Sequence, residues 1–189
     1  MLPPDEKALL RRQIRASYPG AEARQRESER LCAHVLRWQG YRQAQVIGAY
    51  MPMPREADVT PILRDALAQG KTLLLPRVEG EGMTLRVVQD LTSLHPGEWG
   101  IPEPGADAPI VSPDALELLI VPLEGIDREG MRLGKGKGYY DRLLAHTRCM
   151  TLGAVMSWQW QEHIPARPWD RPLQAAADQN GIYLFDQRD

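Results

Sequence analysis

Cations and glycines alternate along Arg132-Leu133-Gly134-Lys135-Gly136-Lys137-Gly138. Glycine lets a backbone adopt positive φ and approach an anion closely, and Arg132, Lys135 and Lys137 supply the opposing charge. From Tyr139 the pattern becomes helical, so the free N–H groups of a first helical turn would face the same anion. The chemistry indicated is phosphate binding. The run is not a P-loop, because no Gly-Lys pair is followed by Ser or Thr, and its alternating glycines do not match G-x-G-x-x-G. With Gly138 as helix N-cap, Asp141 falls in the first turn. A carboxylate there suits the helix dipole. It also stands where a Mg²⁺ ligand would sit if the anion were a nucleotide phosphate. Taken alone, GKGKG is equally compatible with a flexible basic turn.

These residues need a scaffold, and the flanking sequence predicts one. Residues 118–122 form a short apolar run rich in Leu, Ile and Val, the pattern of a buried strand. Residues 45–51 read as the first core strand. Asp58 then caps a helix with Pro61 in its first turn and Gly70 beyond its end, and 71–76 read as a second strand. A strand, helix, strand crossover of this length predicts a parallel pair. In such sheets ligands sit beyond the carboxyl ends of the strands, where Met51 and Glu56 fall. Residues 82–88 read as an antiparallel hairpin strand, and 150–156 and 181–185 as further strands. A helix is expected from Pro3 or Pro4 to Ile14, and a second from 21 to about 39, stopped by Gly40. Lys7 and Arg11 lie one turn apart on the first, a spacing that by itself gives a solvated face. Trp99 lies in a Pro- and Gly-rich stretch, 91–113, read as an ordered loop over the site, with core packing as the other reading for the indole. The predicted fold class is α/β: a single three-layer α/β/α domain, 1–189, around a mostly parallel open sheet.

Asp127, Gly130 and the run from Arg132 through Gly138-Tyr139-Tyr140 to Asp141 resemble the signature of the 5-formyltetrahydrofolate cyclo-ligase family, also called 5,10-methenyltetrahydrofolate synthetases. Lys7-Ala-Leu-Leu-Arg11 resembles that family's opening Lys-x-x-Leu-Arg. Tyr50-Met-Pro-Met-Pro-Arg-Glu56 is similar to its folate-binding loop, and Trp99-Gly-Ile-Pro-Glu-Pro to a further segment. The resemblance implies ATP- and Mg²⁺-dependent cyclisation of 5-formyltetrahydrofolate to 5,10-methenyltetrahydrofolate, with release of ADP and phosphate. It implies an ATP site formed by Lys7, Arg11, Arg132, Leu133, Gly134, Lys135, Gly136, Lys137, Gly138, Tyr139 and Tyr140. Arg132, Lys135 and Lys137 would neutralise the transferred group. Met51, Glu56, Trp99, Tyr139 and Tyr140 would bind the folate, with Tyr140 half core because it shares a helical face with Leu143 and Leu144, and Tyr139 the freer of the two. A carboxylate at Glu56 can accept the two adjacent N–H donors of a reduced pterin at once. Asp141 and Asp170 would hold Mg²⁺. The likeness is looser around Asp170, where Gln174 stands in place of a common Asp, and at Ile126 and Glu124.

The whole chain limits the alternatives. It has 189 residues, enough for one domain, and a net charge of −2, which argues against nucleic acid or an anionic membrane surface as partner. There is no apolar run of transmembrane length and no signal-peptide pattern at the charged opening. Two cysteines without a CxxC partner and four scattered histidines suggest reduced thiols and no zinc site. The expectation is a cytoplasmic monomer acting on small molecules. Two other readings stay open on residues alone: a sugar-phosphate or CoA-handling enzyme, and a nucleotide-binding regulatory module. The paired loops at Met51 to Glu56 and at Trp99 separate these, because a nucleotide sensor needs no second pocket.

Overall fold

A computed structural model describes residues 5–168 and 170–186. Its strands in chain order are β1 (Val46–Gly48), β2 (Thr72–Glu79), β3 (Gly82–Val88), β4 (His95–Pro96), β5 (Pro102–Glu103), β6 (Ile110–Val111), β7 (Leu118–Val121), β8 (Gly125–Ile126), β9 (Arg132–Leu133), β10 (Met150–Ala154), β11 (Ala175–Asp178) and β12 (Gly181–Leu184). The helices are α1 (Glu6–Ala16), α2 (Ala21–Arg37), α3 (Gln39–Gln43), α4 (Thr60–Ala68) and α5 (Tyr139–Ala145). The main sheet has the order β12-β11-β10-β7-β1-β2-β3-β6. From β11 to β2 neighbouring strands run parallel, while β12, β3 and β6 pair antiparallel.

Strand alternation divides the core in two. Leu118 and Ile120 face a cluster that includes Leu31 and Val35 of α2 and Ile62, Leu63 and Ala66 of α4. Leu119 and Val121 face the other side, with Leu143 and Leu144 of α5. Because both faces are covered, β7 is apolar at every position, as buried parallel strands are. The result is the expected three-layer α/β/α arrangement.

The chain leaves β1 toward β2 and β3, then returns to place β7 on the other flank of β1. Connections therefore diverge at the β1/β7 boundary, and a crevice opens beyond the carboxyl ends of these strands. The loops that follow β1 and β7 both enter it.

Several elements differ from their predicted limits. The first helix begins at Glu6, capped by the Asp5 carboxylate, which accepts from Lys7 N–H at 3.3 Å; Pro3 and Pro4 lie outside the described residues. The predicted helix 21–39 ends at Arg37, and α3 follows at once, with Gly40 inside it. Gly40 is not a stop signal. It is glycine because the Trp38 indole folds over it, and a Cβ there would meet the ring at 2.5 Å. Buried Lys71 closes α3 by donating to the carbonyls of Tyr41, Arg42 and Ala44 at 3.3, 3.1 and 2.6 Å. Beyond α4, Gly70 N–H bonds Leu67 O and Lys71 N–H bonds Ala66 O, a Schellman closure that needs the glycine's φ of +70°. β2 runs past Pro76 to Glu79. β1 pairing has ended by Leu74, so β2 is an edge there and tolerates a residue without an N–H. β11 was not predicted, because an Ala-rich run has no strand signature.

Candidate active site

Two pockets meet at residues 134–138. One, of about 290 Å³, is largely apolar and is lined by Met51, Met53, Glu56, Val78, Met83, Trp99, Ile101, Leu123, Tyr139 and Tyr140. The other, of about 240 Å³, is polar and is lined by Asp5, Lys7, Arg11, Leu133, Arg167 and Asp170. Arg132, Gly134, Gly136, Lys137, Gly138 and Asp141 border both.

The loop is held from below. β8 and β9 form a short hairpin whose turn is organised by Asp127. Its carboxylate accepts from the N–H groups of Glu129 and Met131 at 3.0 Å each, and from Ile164 N–H at 3.0 Å. Gly130 completes the turn at φ +82°, where a Cβ would come within 2.6 Å of Leu173 O. This delivers Arg132 to the crevice beside the end of β7. Its guanidinium is ion-paired with Asp141 and donates to Pro122 O at 3.3 Å. Its Nε is buried without a partner. Gly136 (φ +101°) and Gly138 (φ +72°) then turn the chain into α5, placing Asp141 in the first turn as expected. With seven residues α5 has little macrodipole, so most of the field comes from side-chain cations.

Helix α1 closes the polar pocket. Ile14 packs on Leu133 and Ile164, and Arg11 and Lys7, one and two turns back on the same face of the helix, are thereby turned toward the loop. Arg11 Nε donates to Gly134 O at 2.7 Å. Lys7 is buried and ion-paired with Asp170. The solvated face expected from spacing alone is therefore not where these cations lie. Arg15 binds Glu124 at 2.8 Å, so Glu124 pins α1. Ile126 is fully buried in the core. Gln174 exchanges hydrogen bonds with Thr151 at 3.0 Å through backbone and side chain. All three departures from the resembled pattern thus have structural employment and line neither pocket.

The apolar pocket is roofed by the β4/β5 hairpin. Trp99 stands at its tip with φ +61°, an unusual value for a large side chain. The indole is 54% exposed, which rules out core packing. It leans over the mouth, with its ring 6.3 Å from that of Tyr139 and 5.8 Å from Lys137 Nζ. Arg77 fastens the hairpin by donating to Pro104 O at 2.9 Å. On the pocket floor, Glu56 has an oxygen 2.7 Å from Lys135 Nζ, and its other oxygen accepts Met53 N–H at 2.9 Å.

Both tyrosines line the apolar pocket and Tyr140 is half core, as expected, but their hydroxyls differ. Tyr139 OH is engaged, donating to Gly80 O at 3.0 Å. Tyr140 packs against the α5-side core, but its OH is buried without a partner in the pocket wall. Burial, and then the nearby Glu56 charge, raise the Tyr140 phenol well above its usual range. It is a neutral group with a hydrogen bond to give. Met53, Val78, Met83 and Ile101 were missed as pocket residues. Strand alternation carried past Pro76 would have found Val78, whereas Met83 and Ile101 depend on how the two hairpins fold together.

Among the described residues no group of three or more His, Cys, Asp or Glu could cage a metal. Asp141 and Asp170 do border the same polar pocket. Two carboxylates suit a hard cation that completes its shell with phosphate oxygens and water.

With this geometry in place, the comparisons with known proteins are specific. The profile of the 5-formyltetrahydrofolate cyclo-ligase family matches residues 4–178. The 5-formyltetrahydrofolate cyclo-ligase of Mus musculus is 31% identical over 152 residues, 76% of this chain and 73% of that protein. That of Haemophilus influenzae is 30% identical over 170 residues, 86% and 90% of the two chains. The NMR structure of Aquifex aeolicus 5,10-methenyltetrahydrofolate synthetase superposes with a TM-score of 0.86 at 32% identity, covering 97% of this chain and 95% of that one. A 5,10-methenyltetrahydrofolate synthetase from Mycoplasma pneumoniae shares the fold, with a TM-score of 0.75 at 20% identity over 92% and 99%.

Proposed function

The chain belongs to the 5-formyltetrahydrofolate cyclo-ligase family, and from that premise we propose that it converts 5-formyltetrahydrofolate to 5,10-methenyltetrahydrofolate at the expense of ATP. The observation that carries the reading is the shared wall. One pocket is apolar and aromatic with a carboxylate on its floor, the other is cationic, and a glycine loop borders both. That is the layout needed to bring a phosphoryl donor to an organic acceptor.

The chemistry requires activation of a poor leaving group. The formyl oxygen takes the γ-phosphoryl group, and ADP departs. N10 then attacks the formyl carbon, its proton is lost, and phosphate leaves as the ring closes. No side-chain nucleophile is required, so catalysis is positioning plus charge neutralisation. Glu56 accepts the paired pterin donors, Met51 packs on the ring and Trp99 covers it. Tyr140 OH, lacking a partner in the free protein, donates to the bound folate. Lys7 and Arg11 hold the nucleotide, and the loop amides from Gly134 to Gly138 cradle its phosphates. Arg132 and Lys137, which reach both pockets, neutralise the group in transit, and Lys135 joins them. Asp141 and Asp170 would hold Mg²⁺, which screens phosphate charge when bound. The protein would act as a single-domain monomer in the cytoplasm; no helix among the described residues is long and apolar enough to cross a membrane.

The test is to mix the protein with 5-formyltetrahydrofolate, Mg²⁺ and ATP and follow methenyltetrahydrofolate by absorbance and phosphate by release. Product that requires ATP, with one phosphate per ring closed, is expected. Binding of both ligands without product would refute the assignment.

A further inference from the structure

The wall between the pockets contains an ion pair that joins a carboxylate of one pocket to the loop that serves the other. Glu56 has only 7% of its side chain exposed, and both of its oxygens are engaged, one by Lys135 Nζ at 2.7 Å and one by Met53 N–H at 2.9 Å. Lys135 belongs to the glycine loop, yet it borders only the apolar pocket, whereas Lys137 borders both. In the free protein one of the loop's cations is thus turned away from the phosphate side and neutralised.

Two consequences follow from elementary electrostatics. A carboxylate must present both oxygens to receive two parallel N–H donors, and an ammonium in contact with one of them competes for that place. An ammonium paired with a nearly buried carboxylate also adds little to the field acting on a polyphosphate. We propose that Lys135 couples the two pockets: a ligand that takes Glu56 releases Lys135 to the phosphate side of the loop. This rests on the assignment of Glu56 to the pterin given above. Each substrate then raises affinity for the other, because linkage is reciprocal. The enzyme carries its full phosphate-binding charge only when the acceptor is in place, which disfavours unproductive nucleotide binding.

The experiment measures binding of a non-hydrolysable ATP analogue with Mg²⁺, by titration calorimetry, with and without saturating 5-formyltetrahydrofolate. In the unmodified protein the folate is expected to tighten the analogue by about tenfold, within the usual span of such couplings. Glu56→Gln frees Lys135 permanently. It is expected to bind the analogue several-fold more tightly than the unmodified protein without folate, and to show coupling within about twofold. KM for ATP then falls while KM for the folate rises, a split that general loosening of the site does not produce. Lys135→Met is expected to abolish the response to folate; with 35% of its side chain exposed, this substitution decides the matter even if Glu56→Gln folds poorly. Coupling within about twofold in the unmodified protein, with both ligands bound and turnover intact, would overturn the proposal and leave the function standing. Weaker analogue binding in a folded Glu56→Gln protein would do the same. Absence of turnover and of folate binding would remove both.

Discussion

Asp141→Asn separates two roles that the structure combines in one carboxylate. Asp141 is ion-paired with Arg132, whose side chain is 4% exposed, while its own is 35% exposed. Neutralising it leaves a buried guanidinium that retains Pro122 O at 3.3 Å as hydrogen-bond acceptor and whose Nε is already without a partner. Breaking a fully buried pair costs about 3–5 kcal/mol. Solvent at Asp141 screens part of that, so about 2 kcal/mol is expected here. For a chain of this size that corresponds to a Tm lower by about 4–8 °C. Turnover should fall further than stability does, by about 10²–10³, because Asp141 would also help hold the Mg²⁺ that screens phosphate charge, and Asn holds it more weakly. Thermal unfolding of the free protein reads the first effect, and steady-state rates across a Mg²⁺ titration read the second. Adding Arg132→Met to Asp141→Asn removes the stranded cation and should return most of the Tm while turnover stays low. An unchanged Tm would refute the ion-pair argument, and near-normal turnover at every Mg²⁺ concentration would refute the metal assignment.

Three further expectations concern groups whose environment is equally well defined. Tyr140→Phe deletes a buried hydroxyl that has no partner in the free protein; the Tm should hold or rise slightly while 5-formyltetrahydrofolate binding weakens by about tenfold, and a fall in Tm with unchanged folate affinity would show the hydroxyl to be structural. Trp99→Ala removes an indole that is 54% exposed, so the Tm should move by no more than about 2 °C. Folate affinity should drop about five- to tenfold, as expected for a lost stacking surface, and ligand-induced quenching of tryptophan fluorescence should shrink. Burial raises the Cys32 thiol from 9.0 to about 12, with Asp58 adding to the shift, and burial raises Cys149 to about 11. Both should therefore react slowly with a disulfide reagent at pH 8 in the native state and rapidly in guanidinium. Because the folded values lie above the unfolded one, the stability tied to neutral thiols is complete below about pH 8.5–9 and is lost as pH climbs toward 11–12; replacing Cys32 by Ala should flatten that alkaline decline.

Features that depend only on neighbours along the chain are readable from its residues. The all-apolar β7, the Gly138 cap that sets Asp141 in the first turn of α5, and the Schellman closure of α4 were legible because each is a short pattern with a local cause; the cap expected at Asp58 falls one residue later, at Val59, and Asp58 instead accepts Thr60 N–H at 3.1 Å. The alternating cations and glycines left an anion site and a flexible basic turn equally open, and their resemblance to a family supplied the chemistry proposed for them. What those groups touch depends on how distant segments pack. Lys7 looked like a solvated cation by its spacing, but it is buried against Asp170, 163 residues away. Only the packing of Ile14 on Leu133 and Ile164 fixes that side of α1. Helical periodicity places Tyr140 half in the core with Leu143 and Leu144, as found, but it does not tell whether a hydroxyl finds a carbonyl on a neighbouring hairpin, as Tyr139 OH does at Gly80 O. The pairing of Glu56 with Lys135 joins loops that reach the same crevice from different strands, β1 and β9. Such contacts follow from where the sheet reverses its strand order, a long-range property that no window of residues contains.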